Sequence, residues 1–122
     1  MANDEQRNGD EAAVAQTARN YIESWFAADA ARMSLALHPE LAKRSLDKGA
    51  LVTLTAEQMI EYTAAGGGTA NAEKAEPIEI TVNQIDGDLA TATVLSGLFT
   101  DYLQLVRTDS GWRIANALWK NV

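Results

Sequence analysis

The chain has no cysteine, one histidine and two prolines in 122 residues. The missing cysteine excludes disulfides, thiolate metal sites and a cysteine nucleophile. A single histidine, His38, offers no imidazole cluster to a metal ion, so no metal site is expected. Basic side chains are also scarce: 10 Lys and Arg stand against 17 Asp and Glu, for a net charge of −7. Lys43, Arg44 and Lys48 form only one small basic group, which argues against nucleic acid or an anionic membrane as partner. No apolar run approaches the roughly 20 residues that span a bilayer. The first ten residues are polar and lack the apolar centre of a signal peptide, so a cytoplasmic protein is expected. What is present is ordinary globular material. Hydrophobic residues make up 47% of the chain, too many for disorder to be the default, and the length suits one domain burying roughly two-thirds of its unfolded surface.

Residues 1–10 read as a flexible polar lead-in ending in Asp10 as an N-cap, with a single domain over 11–122. A first helix is expected over Glu11–Ala28, because Val14, Ala18, Tyr21, Ile22, Trp25 and Phe26 recur at helical spacing. Asp29 caps a second helix through Leu37, stopped by His38-Pro39. Two extended pieces, Leu41–Leu46 and Ala50–Leu54, flank the turn residues Asp47-Lys48-Gly49. A third helix starts with a capping box, Thr55 with Gln58, and ends at Gly66-Gly67-Gly68. The stretch from Gly66 to Pro77 lacks periodicity and reads as a mobile loop. Strands follow over Ile78–Ile85, Leu89–Leu98, Phe99–Arg107 and Trp112–Trp119, joined by Asp86-Gly87-Asp88 and Thr108-Asp109-Ser110-Gly111. The class is α+β, with helices ahead of a largely antiparallel sheet.

Asp101 stands out as an acid within the apolar strand Phe99–Val106. On a core-facing position a carboxylate must be hydrogen-bonded, paired or turned to a wet cavity. Phe99, Asp101, Leu103 and Leu105 share one face. A three-residue loop Asp109-Ser110-Gly111, the expected one, would set Trp119 opposite Asp101, whereas a two-residue loop would set Leu118 there and bring Asn116 to its face. The last strands carry apolar residues on both faces. That pattern predicts a homodimer through the sheet, since a second copy is the economical cover for the outer face.

Four segments carry a family resemblance: Tyr21-Ile22-Glu23-Ser24-Trp25-Phe26, Ala36-Leu37-His38-Pro39-Glu40-Leu41-Ala42-Lys43-Arg44, Asp101-Tyr102-Leu103-Gln104-Leu105-Val106-Arg107 and the ending Gly111–Trp119. Through them the chain resembles the nuclear transport factor 2-like superfamily, within its snoaL-like and ketosteroid isomerase-like circle. It is most similar there to the bacterial putative lumazine-binding proteins. The resemblance implies a cone, in which N-terminal helices pack inside a strongly curved, largely antiparallel sheet. It does not imply one activity, because this fold hosts isomerases, cyclases, dehydratases, binding proteins and dimerisation modules. The isomerase arrangement of a base plus an oxyanion-stabilising Tyr/Asp pair lacks an obvious second carboxylate here.

Candidate ligand-binding residues are Tyr21, Trp25, His38, Arg44, Phe99, Asp101 and Trp119. Asp101 is the candidate general acid or base, and His38 a candidate proton shuttle at the pocket mouth. Each has a structural alternative: a carboxylate satisfied by a backbone amide, Tyr21 or an arginine, and an imidazole on helix-terminal carbonyls. Tyr21 and Trp25 lie one helical turn apart and suit either the core or a planar ligand. Arg44 suits an anionic ligand group or a salt bridge to Glu40 or Asp47. The triple glycine lacks the Lys-Ser/Thr of a nucleotide loop, and no cofactor is expected. The leading expectation is a small-molecule binding protein with an apolar, aromatic pocket and unknown ligand. The alternatives are an acid–base enzyme using Asp101 with His38 or Tyr21, and a dimerisation module whose cavity is filled by its own side chains.

Overall fold

The computed structural model describes residues 4–122. Two helices, α1 (Asp4–Ala27) and α2 (Ala30–Ala36), precede strands β1 (Leu37–Asp47) and β2 (Ala50–Thr55). Helix α3 (Ala56–Ala64) and a 3-10 helix (Thr69–Ala75) lead into β3 (Glu79–Asp86), β4 (Leu89–Leu95), β5 (Phe99–Thr108) and β6 (Gly111–Asn121). The six strands form one sheet in the order β2-β1-β6-β5-β4-β3. Every neighbouring pair is antiparallel except β1 with β6. The fold is the α+β cone expected from the sequence.

Helix α1 lies along the inner face of the sheet because its apolar stripe has nowhere else to go: Val14, Ala18, Tyr21, Ile22 and Phe26 are all buried. They meet Ala90, Ala92, Val94, Leu103, Leu105, Trp112 and Ile114 from the strands in one core. The helix begins at Asp4, not at Glu11, and Asp10 is an interior residue of it, not its cap. Asp10 has a different task. Both its carboxylate oxygens accept from the Arg107 guanidinium, at 2.8 and 2.9 Å, and that guanidinium lies 4.7 Å from the Trp112 ring centroid. This clamp ties the first turns of α1 to β5, while Asp4 and Glu5 sit where the helix dipole favours negative charge.

Asp29 caps α2 by accepting from the Arg32 amide, but the helix stops at Ala36. Leu37 is already extended and pairs with Ile114. Pro39 lies in the irregular part of β1 between Leu37 and Ala42, where the pairing with β6 shifts and partnering with β2 has not begun. No ladder hydrogen bond is needed from its nitrogen there, which is why β1 tolerates it. The capping box of α3 forms as expected, with Gln58 N–H on Thr55 Oγ1 and Thr55 N–H on Gln58 Oε1.

The stretch after α3 is not an unstructured loop. Its 3-10 helix buries Ala75, whose carbonyl accepts from Gly97 N at 2.6 Å. A Cβ at Gly97 would stand 2.0 Å from the Lys74 carbonyl oxygen, and one at Gly68 would stand 2.6 Å from the Trp25 indole. Glycine at these two positions lets the segment press against the β4–β5 bend and Trp25.

The β5–β6 hairpin reaches the expected register by an unexpected route. Thr108 pairs with Gly111 across a two-residue turn, not with Trp112. A bulge then adds Ala115 to β6 between the pairs Leu105–Ile114 and Gln104–Asn116, and Asp101 ends opposite Trp119 after all.

Candidate functional site

The inner face of the cone holds a buried polar cluster around Asp101. Alternation along β5 turns Asp101, Leu103 and Leu105 inward and leaves Tyr102 and Gln104 exposed. Asp101 is 2% exposed. Its Oδ1 accepts a 2.7 Å hydrogen bond from the Tyr21 hydroxyl, reaching out from α1. Burial pushes the Asp101 carboxyl above its ordinary range, and the nearby Lys43 ammonium and the Tyr21 hydrogen bond pull partly against that. Tyr21 moves upward too, first through burial and then because ionising it would set two negative charges side by side.

Lys43 is the residue that sequence reasoning missed. It projects inward from β1 and is 9% exposed. Its Nζ stands 5.1 Å from the Tyr21 ring centroid, 5.8 Å from Trp25 and 5.2 Å from Trp119, so three aromatic faces surround one ammonium. Burial lowers its pKa to about 8, against an upward pull from Asp101. Among the described residues the ammonium has no ion pair or hydrogen bond. It faces a cavity of about 80 Å³ lined by Tyr21, Trp25, Lys43, Phe99, Asp101 and Trp119, with Met59 and Tyr62 of α3 beside them. Phe99 meets Trp119 edge-on at 5.4 Å and stacks on Phe26 at 6.2 Å. Parity was the available signal: Leu41 is buried, so residue 43 shares its face and residue 44 does not.

Five of the seven expected ligand residues therefore converge: Tyr21, Trp25, Phe99, Asp101 and Trp119. Two do not. Arg44 is exposed on the outer face of the sheet, in a shallow groove with Leu51, Tyr102 and Leu118. His38 lies at the start of β1 in a separate surface hollow beside Ser34, Glu57 and Arg113. It does not cap a helix, because the chain is already extended there; its Nδ1 accepts from the Glu40 amide at 3.0 Å. A partnership between His38 and Asp101 is thus not what the fold assembles. No group of three or more metal-ligating side chains occurs among the described residues, and no helix there is long and apolar enough to cross a membrane.

The cone is that of the nuclear transport factor 2-like class. Within that class, the chain belongs to the family described as putative lumazine-binding, whose pattern matches residues 9–120. Solved structures of the same shape include a nuclear transport factor 2-like protein of unknown function from Silicibacter pomeroyi. It superposes with a TM-score of 0.75 at 16% identity, over 95% of this chain and 98% of that one. A second such protein, from Shewanella baltica, gives 0.73 at 16% identity over 100% and 98%. A ketosteroid isomerase-like protein from Erwinia carotovora atroseptica gives 0.63 at 13% identity over 94% and 98%. At these identities the likeness is one of fold. No functionally curated sequence matches the chain.

Proposed function

We propose that the protein binds a small molecule inside the cone, against Lys43, Asp101 and the aromatic walls. The observation that carries this reading is the Lys43 ammonium, at the end of a largely buried side chain, turned toward a cavity and given no acceptor by the described residues. A ligand oxygen or nitrogen in the cavity would supply the acceptor that the protein does not. The family description supports the same reading at the level of ligand class. The hollow limits size. About 80 Å³ holds a few water-sized groups, well below the roughly 300 Å³ of pockets that bury drug-sized ligands. A fused-ring ligand therefore requires the mouth, where Trp25 and Trp119 are half-buried and Tyr62 is exposed, to open.

The same small volume favours a second reading, a dimerisation module whose cone is filled by its own side chains. In either case the apolar outer face supports pairing of two copies through the sheet: Leu51, Tyr102 and Leu118 are each more than half exposed there. Native mass spectrometry of protein purified without added ligand separates the two. A co-purified molecule that is lost from Lys43→Met supports the binding reading. Bare protein, together with a crystal structure showing the hollow holding nothing but ordered solvent, overturns it in favour of the module.

A further inference from the structure

The interior cluster has a chemical consequence beyond recognition. A lysine that is desolvated and partly deprotonated near neutral pH is a nucleophile, whereas an ordinary lysine, titrating near 10.4, is almost entirely ammonium. We propose that Lys43 is a carbonyl-capturing amine, whose Nζ, enclosed by Tyr21, Trp25 and Trp119, condenses with a small aldehyde or ketone in the cavity to form an imine. This rests on the reading of the cone interior as a small-molecule site and deepens it to a substrate class.

The step balances within the groups present. The Nζ lone pair attacks the carbonyl carbon, forming the N–C bond as the carbonyl π pair moves to oxygen. The resulting oxyanion is protonated and nitrogen gives up a proton, leaving a neutral carbinolamine. Loss of its hydroxyl as water, after that oxygen gains a proton, breaks the C–O bond and forms C=N. The hydrogen-bonded pair of Asp101 and Tyr21 supplies an acceptor and a donor for these transfers inside the same cavity. The aromatic cage suits both ends of the sequence. Its ring faces attract the ammonium before the reaction and the equally cationic protonated imine after it. The fit is to carbonyl compounds of a few heavy atoms, since the hollow measures about 80 Å³.

Reductive trapping tests this. The full-length protein is incubated at pH 7.5 with propanal and sodium cyanoborohydride, and the propylated residues are read by peptide mass spectrometry. Lys43 is expected to be modified at least roughly tenfold faster than the exposed Lys48, Lys74 and Lys120, with that preference abolished in urea. Labelling of Lys43 no faster than of the exposed lysines overturns the proposal. 1-Propanol, which has the same chain and no carbonyl, separates this inference from the binding reading. If it shifts the side-chain resonances of Trp25 and Trp119 while Lys43 stays unlabelled by propanal, binding survives and imine formation falls. If 1-propanol shifts nothing and Lys43 stays unlabelled, both fall together. No folding-sensitive variant is needed, because the four lysines are compared within one native chain.

Discussion

Tyr21 on α1 and Asp101 on β5, 80 positions apart in sequence, are joined by a buried 2.7 Å hydrogen bond in which the phenol donates to the carboxylate. That bond satisfies the acid that would otherwise be the least tolerable group in the core, and it fixes helix to sheet at the cavity wall. Removing the phenol oxygen in Tyr21→Phe leaves Oδ1 buried without its donor. Stability should fall by about 1–3 kcal/mol, measured by urea unfolding. The Asp101 carboxyl should also move further up, because the lost bond favoured its ionised form; a carboxyl NMR titration reads this. An unchanged Asp101 midpoint in Tyr21→Phe would show that the two side chains are not coupled in solution.

Lys43 makes the alkaline stability profile distinctive. Its folded pKa, about 8, lies below its ordinary value of 10.5, so between these values the unfolded chain binds more protons than the folded one. Stability must therefore rise with pH across that window, by a total on the order of 3 kcal/mol. Tyr21 acts in the opposite sense. Its folded pKa lies well above 10, so the stability it contributes is present below pH 10 and is lost as the unfolded tyrosine ionises above it. Urea midpoints should accordingly climb from pH 8 toward pH 10 and then level or fall. In Lys43→Met the climb should disappear. A flat wild-type profile over pH 8–10 would place the ammonium in solvent, not in the aromatic cage.

How far the site is legible in the sequence follows from strand parity and its interruptions. Asp101 is identifiable because an acid amid Phe99, Leu103 and Leu105 breaks an apolar face, and that face is the buried one. Its neighbour Trp119 is reached although the turn differs from the expected one: the shorter turn at Asp109-Ser110 and the extra residue Ala115 offset each other. A bulge leaves no composition signal of its own, so such a compensation is invisible before the strands are paired. Lys43 and Arg44 show the converse. Residue type alone makes Arg44 the natural anion ligand, but one step of alternation sends its guanidinium outside and the Lys43 amine inside. The role of Asp10 is hidden for another reason, since its partner Arg107 lies 97 residues away. The 3-10 segment reads as a loop because its order comes from contacts with Trp25 and Gly97, not from periodicity.

That last contact can be tested directly. A methyl group at Gly97 would collide with the Lys74 backbone oxygen at 2.0 Å, and backbone cannot swing aside as a side chain can. Gly97→Ala should cost at least about 2 kcal/mol and speed amide exchange across 69–75. Gly9 provides the contrast. It lies inside α1, where an added Cβ would meet nothing within 4 Å, so Gly9→Ala should stabilise by about 0.5–1 kcal/mol. Equal effects of the two substitutions in urea unfolding would contradict the close packing of the 3-10 segment on the bend.

The outer face of the sheet yields the prediction about assembly. Tyr102 and Leu118 are cross-strand partners on β5 and β6, 53% and 51% exposed, and Leu118 is paired on its other side with Arg44 of β1. A stable interface covers roughly 800 Å² per partner, so a contact between two copies over this face would extend well beyond these two residues. Leu118→Asp puts a carboxylate at the centre of that contact, where it would be stripped of water and face its own symmetry mate. In the single chain the same carboxylate stays solvated next to Arg44, so the fold itself should lose no more than about 1 kcal/mol. Sedimentation velocity at tens of micromolar should therefore find a dimer for the wild type and a folded monomer for Leu118→Asp. A wild-type monomer, or a variant that still dimerises, would move the interface away from this face.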